Sequence, residues 1–306
     1  MPMTTPAQLA PKLNVKNVLV PADFSLLSES AVKLARAIAR QHGSTIHLAN
    51  VIEPFGRAAV PPSKVHNADI KSAITEFGFL ESRYLDGVKH ERVLLNGDVN
   101  ISLLHAIKER NIDLVVMATH GAEGCERLLE GAITEELFRQ AVCPVLVIGP
   151  NAKQDKDDFE RFASFRNLLY PMEIRPSSIS AIPYVTALLD SCAARVALLH
   201  VAHPDIQSGY ERQRIRERLT AEMIGLFPNR AKEAISDVIV EFGPIADTII
   251  EFSIARKADA IVLGVRSGGA FTRTATHIPW SVAHQIISQA LCPVLTIRGN
   301  HEGSAR

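Results

Sequence analysis

The sequence predicts an α/β protein made of two tandem domains, each an open parallel sheet with helices on both faces. Three observations lead to this prediction. The chain has 306 residues, which suits two domains of about 150 residues. Short apolar runs alternate with amphipathic segments, which is typical of parallel strands joined by helices. The same succession of segments then occurs a second time.

Three pairs of similar segments follow one another in the same order in both halves. They are VKNVLVPADFS (from Val15) and FRNLLYPMEIR (from Phe165), NGDVNISLLHAIKERNIDLVVMATHG (from Asn96) and EFGPIADTIIEFSIARKADAIVLGVRS (from Glu241), and QAVCPVLVIGP (from Gln140) and QALCPVLTIRG (from Gln289). This repetition indicates a duplication. We therefore predict domains at 1–150 and 165–306, joined by a polar, solvent-exposed linker at 151–164.

Each element of the first half follows from its local pattern. VKNVLVPA is a continuous apolar run, as expected of a strand buried on both faces. The next segment places Ala31, Leu34, Ala35 and Ile38 on one helical face and ends at Gly43. The predicted order is strand 15–22, helix 28–43, strand 45–52, a helix around 70–89, strand 92–97, helix 101–111, strand 113–119, helix 133–141 and strand 144–149.

The loop after the fourth strand has the features of an anion site. In parallel sheets, ligands bind beyond the carboxyl ends of the strands, where the strand order reverses. We expect the first and fourth strands to flank that point. Gly121 and Gly131 let backbone amides approach a ligand, and a helix start near Thr134 offers unpaired N–H groups to a phosphate.

The motifs VLVPADFS, ANVIEP, NGDV, MATHG, LLEGAITEEL and CPVLVI resemble those of the universal stress protein family, and the resemblance covers both halves. ATP-binding members carry Gly-x2-Gly-x9-Gly-Ser/Thr after the fourth strand. The resemblance implies an adenine-nucleotide alpha-hydrolase-like fold with five parallel strands per copy in the order 3-2-1-4-5. It also implies an internal pseudo-dimer through the last strands, Val145–Ile148 with Val294–Ile297, and leaves a further homodimer open.

The resemblance implies an ATP or AMP site in the first copy, with or without Mg²⁺. Asp23 would face the nucleoside, Pro21 and Ala22 would border the base, and Val51 would contact adenine. The full set of nucleotide-binding residues that it implies is Pro21, Ala22, Asp23, Val51, Met117, Ala118, His120, Gly121, Gly131, Ala132, Ile133 and Thr134.

The first copy also departs from the family pattern. Ala118 replaces the first glycine, and Ala132 replaces the serine or threonine that contacts phosphate. Losing one charge-assisted hydrogen bond costs about 1.5–3 kcal/mol, which is roughly ten- to a hundredfold in affinity. Glu123 and Glu130 add negative charge beside the expected phosphates, and Arg127 offsets part of it.

The second copy departs further. We expect Met172 at the position of Asp23, with Glu173 one residue late. Gly264 keeps the first glycine, but Ser267 replaces the second. Trp280-Ser281 stands where the first copy has Gly131-Ala132, so an indole takes the place of a phosphate. The second copy is therefore predicted to be degenerate; Arg266, Arg273 and His277 leave a small basic pocket there as an alternative.

The sequence does not indicate an enzyme. His120 and His200 each end a strand, but neither has a recognisable nucleophile partner, and we expect both to hydrogen-bond the nearby backbone. We find no metal-ligand spacing, and Cys143 and Cys292, each before a proline and a strand, are expected to be buried thiols. Slow ATP hydrolysis stays an alternative.

The composition limits the partners. The 33 basic and 33 acidic residues cancel, so no net field favours nucleic acid or an anionic membrane. No apolar run approaches the roughly 20 residues that cross a bilayer, and the first residues do not resemble an export signal, so we expect a cytoplasmic protein. The predicted function is stress adaptation through nucleotide binding, with an unidentified protein partner; the alternative is a nucleotide-independent scaffold.

Overall fold

A computed structural model of the chain shows both halves in one continuous sheet. The residues that it describes are 15–53, 62–119, 136–137, 140–152, 156–174, 181–202, 208–266 and 280–299. The strands are β1 (Asn17–Pro21), β2 (Thr45–Ile52), β3 (His90–Asn96), β4 (Leu114–Ala118), β5 (Val145–Ile148), β6 (Asn167–Pro171), β7 (Arg195–Ala202), β8 (Ile235–Phe242), β9 (Ala260–Arg266) and β10 (Val294–Gly299).

Across the sheet the strand order is β3-β2-β1-β4-β5-β10-β9-β6-β7-β8. All pairs within a repeat are parallel. Each repeat therefore has the strand order 3-2-1-4-5 that the resemblance implies. The central strands are buried on both faces, which is why β1 and β4 read as unbroken apolar runs.

Helices cover the sheet and connect its strands. In the described residues they are α1 (Leu26–His42), α2 (Pro62–Tyr84), α3 (Val99–Glu109), α4 (Lys156–Ser164), α5 (Ile182–Cys192), α6 (Gly209–Gly225), α7 (Asn229–Lys232), α8 (Ile245–Ala255) and α9 (Trp280–Gln289). Right-handed crossovers place α1 and α2 on one face of the first repeat and α3 on the other. Within the described part of the chain, none of these helices has the length and apolar character of a membrane span.

The ends of α1 follow from its sequence. The Ser25 side chain accepts a hydrogen bond from the Ser28 amide and caps the first turn. Gly43 ends the helix in the left-handed conformation with φ 70°, and its amide donates to the Ala39 carbonyl. The predicted apolar face is buried. By contrast, α2 lies earlier than the predicted segment 70–89, because the chain already turns at Gly87, with φ 78°, before entering β3.

The two repeats are joined by their last strands. β5 and β10 pair in antiparallel register through Val147–Val294, Leu146–Leu295 and Val145–Thr296. Leu146 and Leu295 are equivalent in the two repeats and form the middle pair, so an approximate twofold axis passes between them. The Thr296 hydroxyl donates to the Val145 carbonyl at 3.1 Å. The predicted contact between the last strands is therefore present.

The expectation that the segment between the repeats is solvent-exposed is wrong for its second part. This part forms α4, in which Phe159, Phe162 and Ala163 are buried. Their i, i+3 and i+4 spacing gives the helix one apolar stripe, which packs against α1. The described charged residues of this helix, Asp158, Glu160 and Arg161, are half-buried.

Polar contacts attach α4 to both repeats. On the side of the first repeat, the Gln41 side-chain amide donates to the Glu160 carbonyl at 2.8 Å, and Nε2 of His42 donates to the Ala163 carbonyl at 3.3 Å. On the side of the second repeat, Arg161 donates to Oδ1 of Asp259 at 3.0 Å. Because α4 contacts both repeats, it fixes their connection next to the β5–β10 pair.

Asp259 is a buried carboxylate at the start of β9. Its Oδ2 accepts from the Asn167 amide at 2.8 Å, and its side chain is 1% exposed. Burial raises the pKa of the Asp259 carboxyl, while the Asn167 amide and the charge of Arg161 oppose that rise. Arg161 is therefore the cation that makes an ionised Asp259 tolerable inside the protein.

A second junction lies where β5 ends. A Cβ added at Gly149 would overlap the carbonyl oxygen of Ile287 in α9, so the backbone there approaches the helix closely. The Asn151 side chain donates to the Ser288 carbonyl at 2.9 Å. Glycine is required at position 149 because no side chain fits between the two repeats.

Gly149→Ala is expected to lower the free energy of unfolding by about 2–3 kcal/mol, because the new methyl group must push α9 away from β5. Urea unfolding followed by circular dichroism measures the change. Gly225→Ala is the matched control: nothing lies within 4 Å of its added Cβ at the end of α6, so that variant should be unchanged or slightly more stable. Equal stability of the two variants would contradict the close approach.

Arg161→Gln is expected to destabilise the fold by about 2 kcal/mol at pH 7.5, because it leaves the Asp259 carboxylate buried without its cation. The loss should shrink towards pH 4.5. The pKa of Asp259 is raised in the folded state, so at low pH the carboxyl takes up a proton there and no longer needs Arg161. Urea unfolding at both pH values measures this.

Arg40→Gln is the matched control, because the ion pair of Arg40 with Glu160 of α4 is exposed. This variant should cost less than about 0.5 kcal/mol at either pH. A deficit of Arg161→Gln that does not change with pH would show that packing, and not the carboxylate, is responsible.

Candidate functional site

At the carboxyl edge of the first repeat, β1 and β4 stop pairing before they end, and the place between them is called the crevice below. These two strands pair at only two positions, Val18–Leu114 and Leu19–Val115. Beyond them, β1 continues along β2 as far as Pro21, and β4 continues along β5 as far as Ala118. The two strands therefore separate towards their carboxyl ends, at the point where the strand order reverses.

The structure brings the described members of the predicted site to this edge. Pro21 ends β1 and is followed by Ala22 and Asp23, Val51 lies near the end of β2, and Met117 and Ala118 end β4. Side chains alternate along a strand, so Pro21, Val51 and Met117 belong to one face of the sheet, and Asp23 lies in the turn that follows β1. Asp23 is exposed, Val51 is half-buried and Met117 is buried, which gives the crevice an apolar floor and a carboxylate at its rim.

Ala22 and Ala118 belong to the opposite face. In the second repeat, a Cβ added at Gly264 would lie 3.4 Å from Cβ of Ala181, next to α5. Gly264 is equivalent to Ala118, because both follow the strand residues that pair with the first strand of their repeat. The methyl group of Ala118 therefore faces α1 and lies away from the face that carries Met117.

The turn that carries Asp23 is fixed at several points. The Ala22 amide donates to the Ala49 carbonyl at 2.8 Å, and Oδ1 of Asp23 accepts from the Ser25 amide at 3.0 Å. Phe24 adopts a left-handed backbone conformation with φ 64°, and its ring packs edge-on against Phe77 at 5.4 Å between centroids. These contacts hold the turn, and the bond from the Ser25 amide holds the Asp23 carboxylate against it.

The predicted phosphate half of the site lies outside the described residues. The members concerned are His120, Gly121, Gly131, Ala132, Ile133 and Thr134. Glu123, Arg127 and Glu130 lie outside them as well. The role of this loop therefore stays a prediction from sequence.

The expected alignment of Met172 with Asp23 is wrong by one residue. The Met172 amide donates to the Leu199 carbonyl at 2.8 Å, as the Ala22 amide donates to Ala49. The strand register of β6 with β7 matches that of β1 with β2, so Met172 is equivalent to Ala22. Glu173, which is half-buried, takes the position of Asp23, and the second repeat keeps an acidic residue there.

Other residues singled out in the second repeat are only partly described. Nδ1 of His200 donates to the Met172 carbonyl at 3.0 Å, which confirms the expected backbone contact of this histidine. Arg266 ends β9 and Trp280 begins α9, but the surroundings of their side chains are not described. Ser267, Arg273 and His277 lie outside the described residues.

The titratable groups do not form a metal or thiol centre in the described ranges. No group of three His, Cys, Asp or Glu side chains there is arranged to hold a metal ion. Cys143 and Cys292 are buried as predicted, and burial raises the pKa of each thiol to about 12. Both thiols therefore stay protonated at neutral pH and do not act as nucleophiles.

The structure adds one residue that the sequence reasoning did not single out. The Asn50 side-chain amide donates to the Ala22 carbonyl at 2.8 Å, directly beside Asp23. The available signal was a polar residue near the end of the otherwise apolar strand TIHLANVI.

Comparison with known proteins identifies this architecture. The model of the universal stress protein family matches residues 14–149 and again 164–298. A universal stress protein from Methanocaldococcus jannaschii is 26% identical over 146 residues, covering 45% of this chain and 85% of that protein. A homologue of universal stress protein A from Coxiella burnetii is 26% identical over 141 residues, covering 44% of this chain and 97% of its own length.

Solved structures extend the similarity to the whole chain. A universal stress protein from Archaeoglobus fulgidus superposes with a TM-score of 0.63 at 17% identity, covering 95% of this chain and 99% of that one. A protein from Pseudomonas aeruginosa described as a putative universal stress protein gives a TM-score of 0.56 at 15% identity, covering 94% and 95%. At these identities the similarity concerns the fold alone.

Proposed function

Because the chain belongs to the universal stress protein family, we propose that it acts in stress adaptation by binding an adenine nucleotide, ATP or AMP, in its first repeat. The observation that carries this proposal is the separation of β1 from β4, with Asp23 at the rim of the crevice between them. An exposed carboxylate beside an apolar floor suits a nucleoside, whose hydroxyl groups donate hydrogen bonds and whose base is flat and apolar on its faces.

The nucleoside half of this proposal concerns residues that the structure describes. Asp23 would accept hydrogen bonds from the sugar, and Pro21 and Val51 would border the base. The amides around Gly121 and Gly131 would bind the phosphates, with one hydroxyl fewer because of Ala132. Any Mg²⁺ would accompany the nucleotide, since the described residues offer it no cluster of ligands.

The proposed difference in nucleotide binding between the two repeats depends on the segment between β9 and α9. Glu173 takes the position of Asp23, so the acidic residue does not distinguish the two crevices. Ser267 and Trp280 replace the loop residues Gly121 and Gly131 of the first repeat. We propose that these two replacements make the second repeat a weak nucleotide binder or a non-binder.

We propose that the first repeat binds the nucleotide without catalysing a reaction. Oδ1 of Asp23 accepts from the Ser25 amide, and the described crevice holds no partnered nucleophile and base. One observation favours a second function, a nucleotide-independent scaffold: Ala132 and Glu130 both weaken a phosphate site. The internal pseudo-dimer made by β5 and β10 would serve either function, and a slow ATPase is the remaining alternative.

Asp23→Asn is expected to weaken ATP binding by about tenfold or more, because the neutral amide loses charge-assisted hydrogen bonds to the sugar. Its side-chain oxygen still accepts from the Ser25 amide, so the turn should stay intact. Isothermal titration calorimetry with ATP measures the affinity. Asp86→Ala is the control, since this exposed acidic residue precedes β3 at the opposite edge of the sheet.

No heat and no thermal shift with millimolar ATP for the wild-type chain would overturn nucleotide binding and leave the scaffold. Equal affinity of Asp23→Asn and wild type would remove Asp23 from the site. Phosphate release above background that Asp23→Asn abolishes would support the ATPase instead.

A further inference from the structure

The peptide group between Ala22 and Asp23 is held from the neighbouring strand by a side chain. β1 has its last regular pairing with β2 at Pro21, and the chain then turns into α1. At this turn the half-buried Asn50 donates from Nδ2 to the Ala22 carbonyl at 2.8 Å. Fixing this carbonyl fixes the plane of the peptide, and with it the direction in which Asp23 leaves the strand.

The same bond is made by a different side chain in the second repeat. His200 is equivalent to Asn50 in strand register, and its Nδ1 donates to the Met172 carbonyl at 3.0 Å. Since a carbonyl only accepts, Nδ1 of His200 carries the proton. An amide and an imidazole thus perform one task, which is to hold the carbonyl that precedes the acidic residue of the crevice.

We infer that Asn50 is a positioning residue of the first crevice, which orients Asp23 through the Ala22 carbonyl. This inference rests on the proposed nucleotide site and adds to it a residue that does not touch the ligand. The anchor at Asn50 precedes Asp23, and the bond from the Ser25 amide follows it. Both ends of the turn are therefore fixed. Without the Asn50 bond, the Ala22 amide still holds the chain to Ala49, but the peptide between Ala22 and Asp23 can tilt and turn the carboxylate away from the sugar.

Removing the donor tests the inference. Asn50→Leu has a similar size but no donor, and it is expected to weaken ATP binding by about tenfold in calorimetry. Asn50→Asp, which also cannot donate at neutral pH, should show the same loss if the leucine variant does not fold. Asn50→His copies the solution of the second repeat and should bind within about threefold of wild type.

Two controls separate positioning from general stability. His200→Leu removes the equivalent bond of the second repeat and should leave the ATP affinity of the first repeat unchanged. In an Asp23→Asn background, Asn50→Leu should have almost no further effect, because the carboxylate that it orients is already gone. A structural role alone would lower affinity by the same factor in both backgrounds.

The outcomes distinguish this inference from the function on which it rests. If the wild-type chain binds no ATP, the proposed function fails and the inference fails with it. If Asp23→Asn loses affinity while folded Asn50→Leu and Asn50→Asp bind as wild type does, only the inference is overturned. The inference is also overturned if Asn50→His binds as weakly as Asn50→Leu.

Discussion

The structure depends on the pairing of β5 with β10. All four residues of β5 are at most 1% exposed, and the strand VLVI carries no charge. Such a strand at a free edge would present unpaired backbone groups beside apolar side chains, which promotes aggregation. The outer edges are different. β3 begins with His90, Glu91 and Arg92, and the Val240 carbonyl of β8 accepts from Nε of Arg216 at 3.1 Å. The duplication therefore covers the one edge that cannot face water.

The antiparallel pairing of β5 with β10 also determines where the carboxyl edges of the two repeats lie. Strands within a repeat are parallel, but the strands of one repeat run opposite to those of the other. The carboxyl edges of the repeats therefore face opposite sides of the molecule. Two further contacts stabilise the connection between the repeats. One joins Arg161 of α4 to Asp259, and the other is the close approach of Gly149 to Ile287.

Much of the fold could be predicted from sequence, because continuous apolar runs and a capped amphipathic helix are local signals. α4 was missed because its charges dominate its composition, although Phe159 and Phe162 have helical spacing. The equivalence of Glu173 with Asp23 was missed by one residue. A shift of one residue moves a side chain to the other face of a sheet. The paired segments VKNVLVPADFS and FRNLLYPMEIR already align Asp23 with Glu173, and the register of β6 with β7 and the bond from the Met172 amide to Leu199 agree with that alignment. Asn50 was missed because its partner is a backbone carbonyl on another strand, which sequence does not display.

The corrected register changes the argument about asymmetry. Glu173 and Asp23 occupy equivalent positions, and in both repeats a side chain of the neighbouring strand donates to the carbonyl before the acidic residue. If these features were enough to bind a nucleotide, the two repeats would be equally suited to it. Glutamate is longer by one methylene, which changes its reach but not its charge. Gly264 keeps the glycine that Ala118 replaces, and this position faces the start of α5. The sharpest contrast between the repeats in the sequence lies in the segments that follow β4 and β9, where Gly131 of the first repeat is replaced by Trp280 in the second.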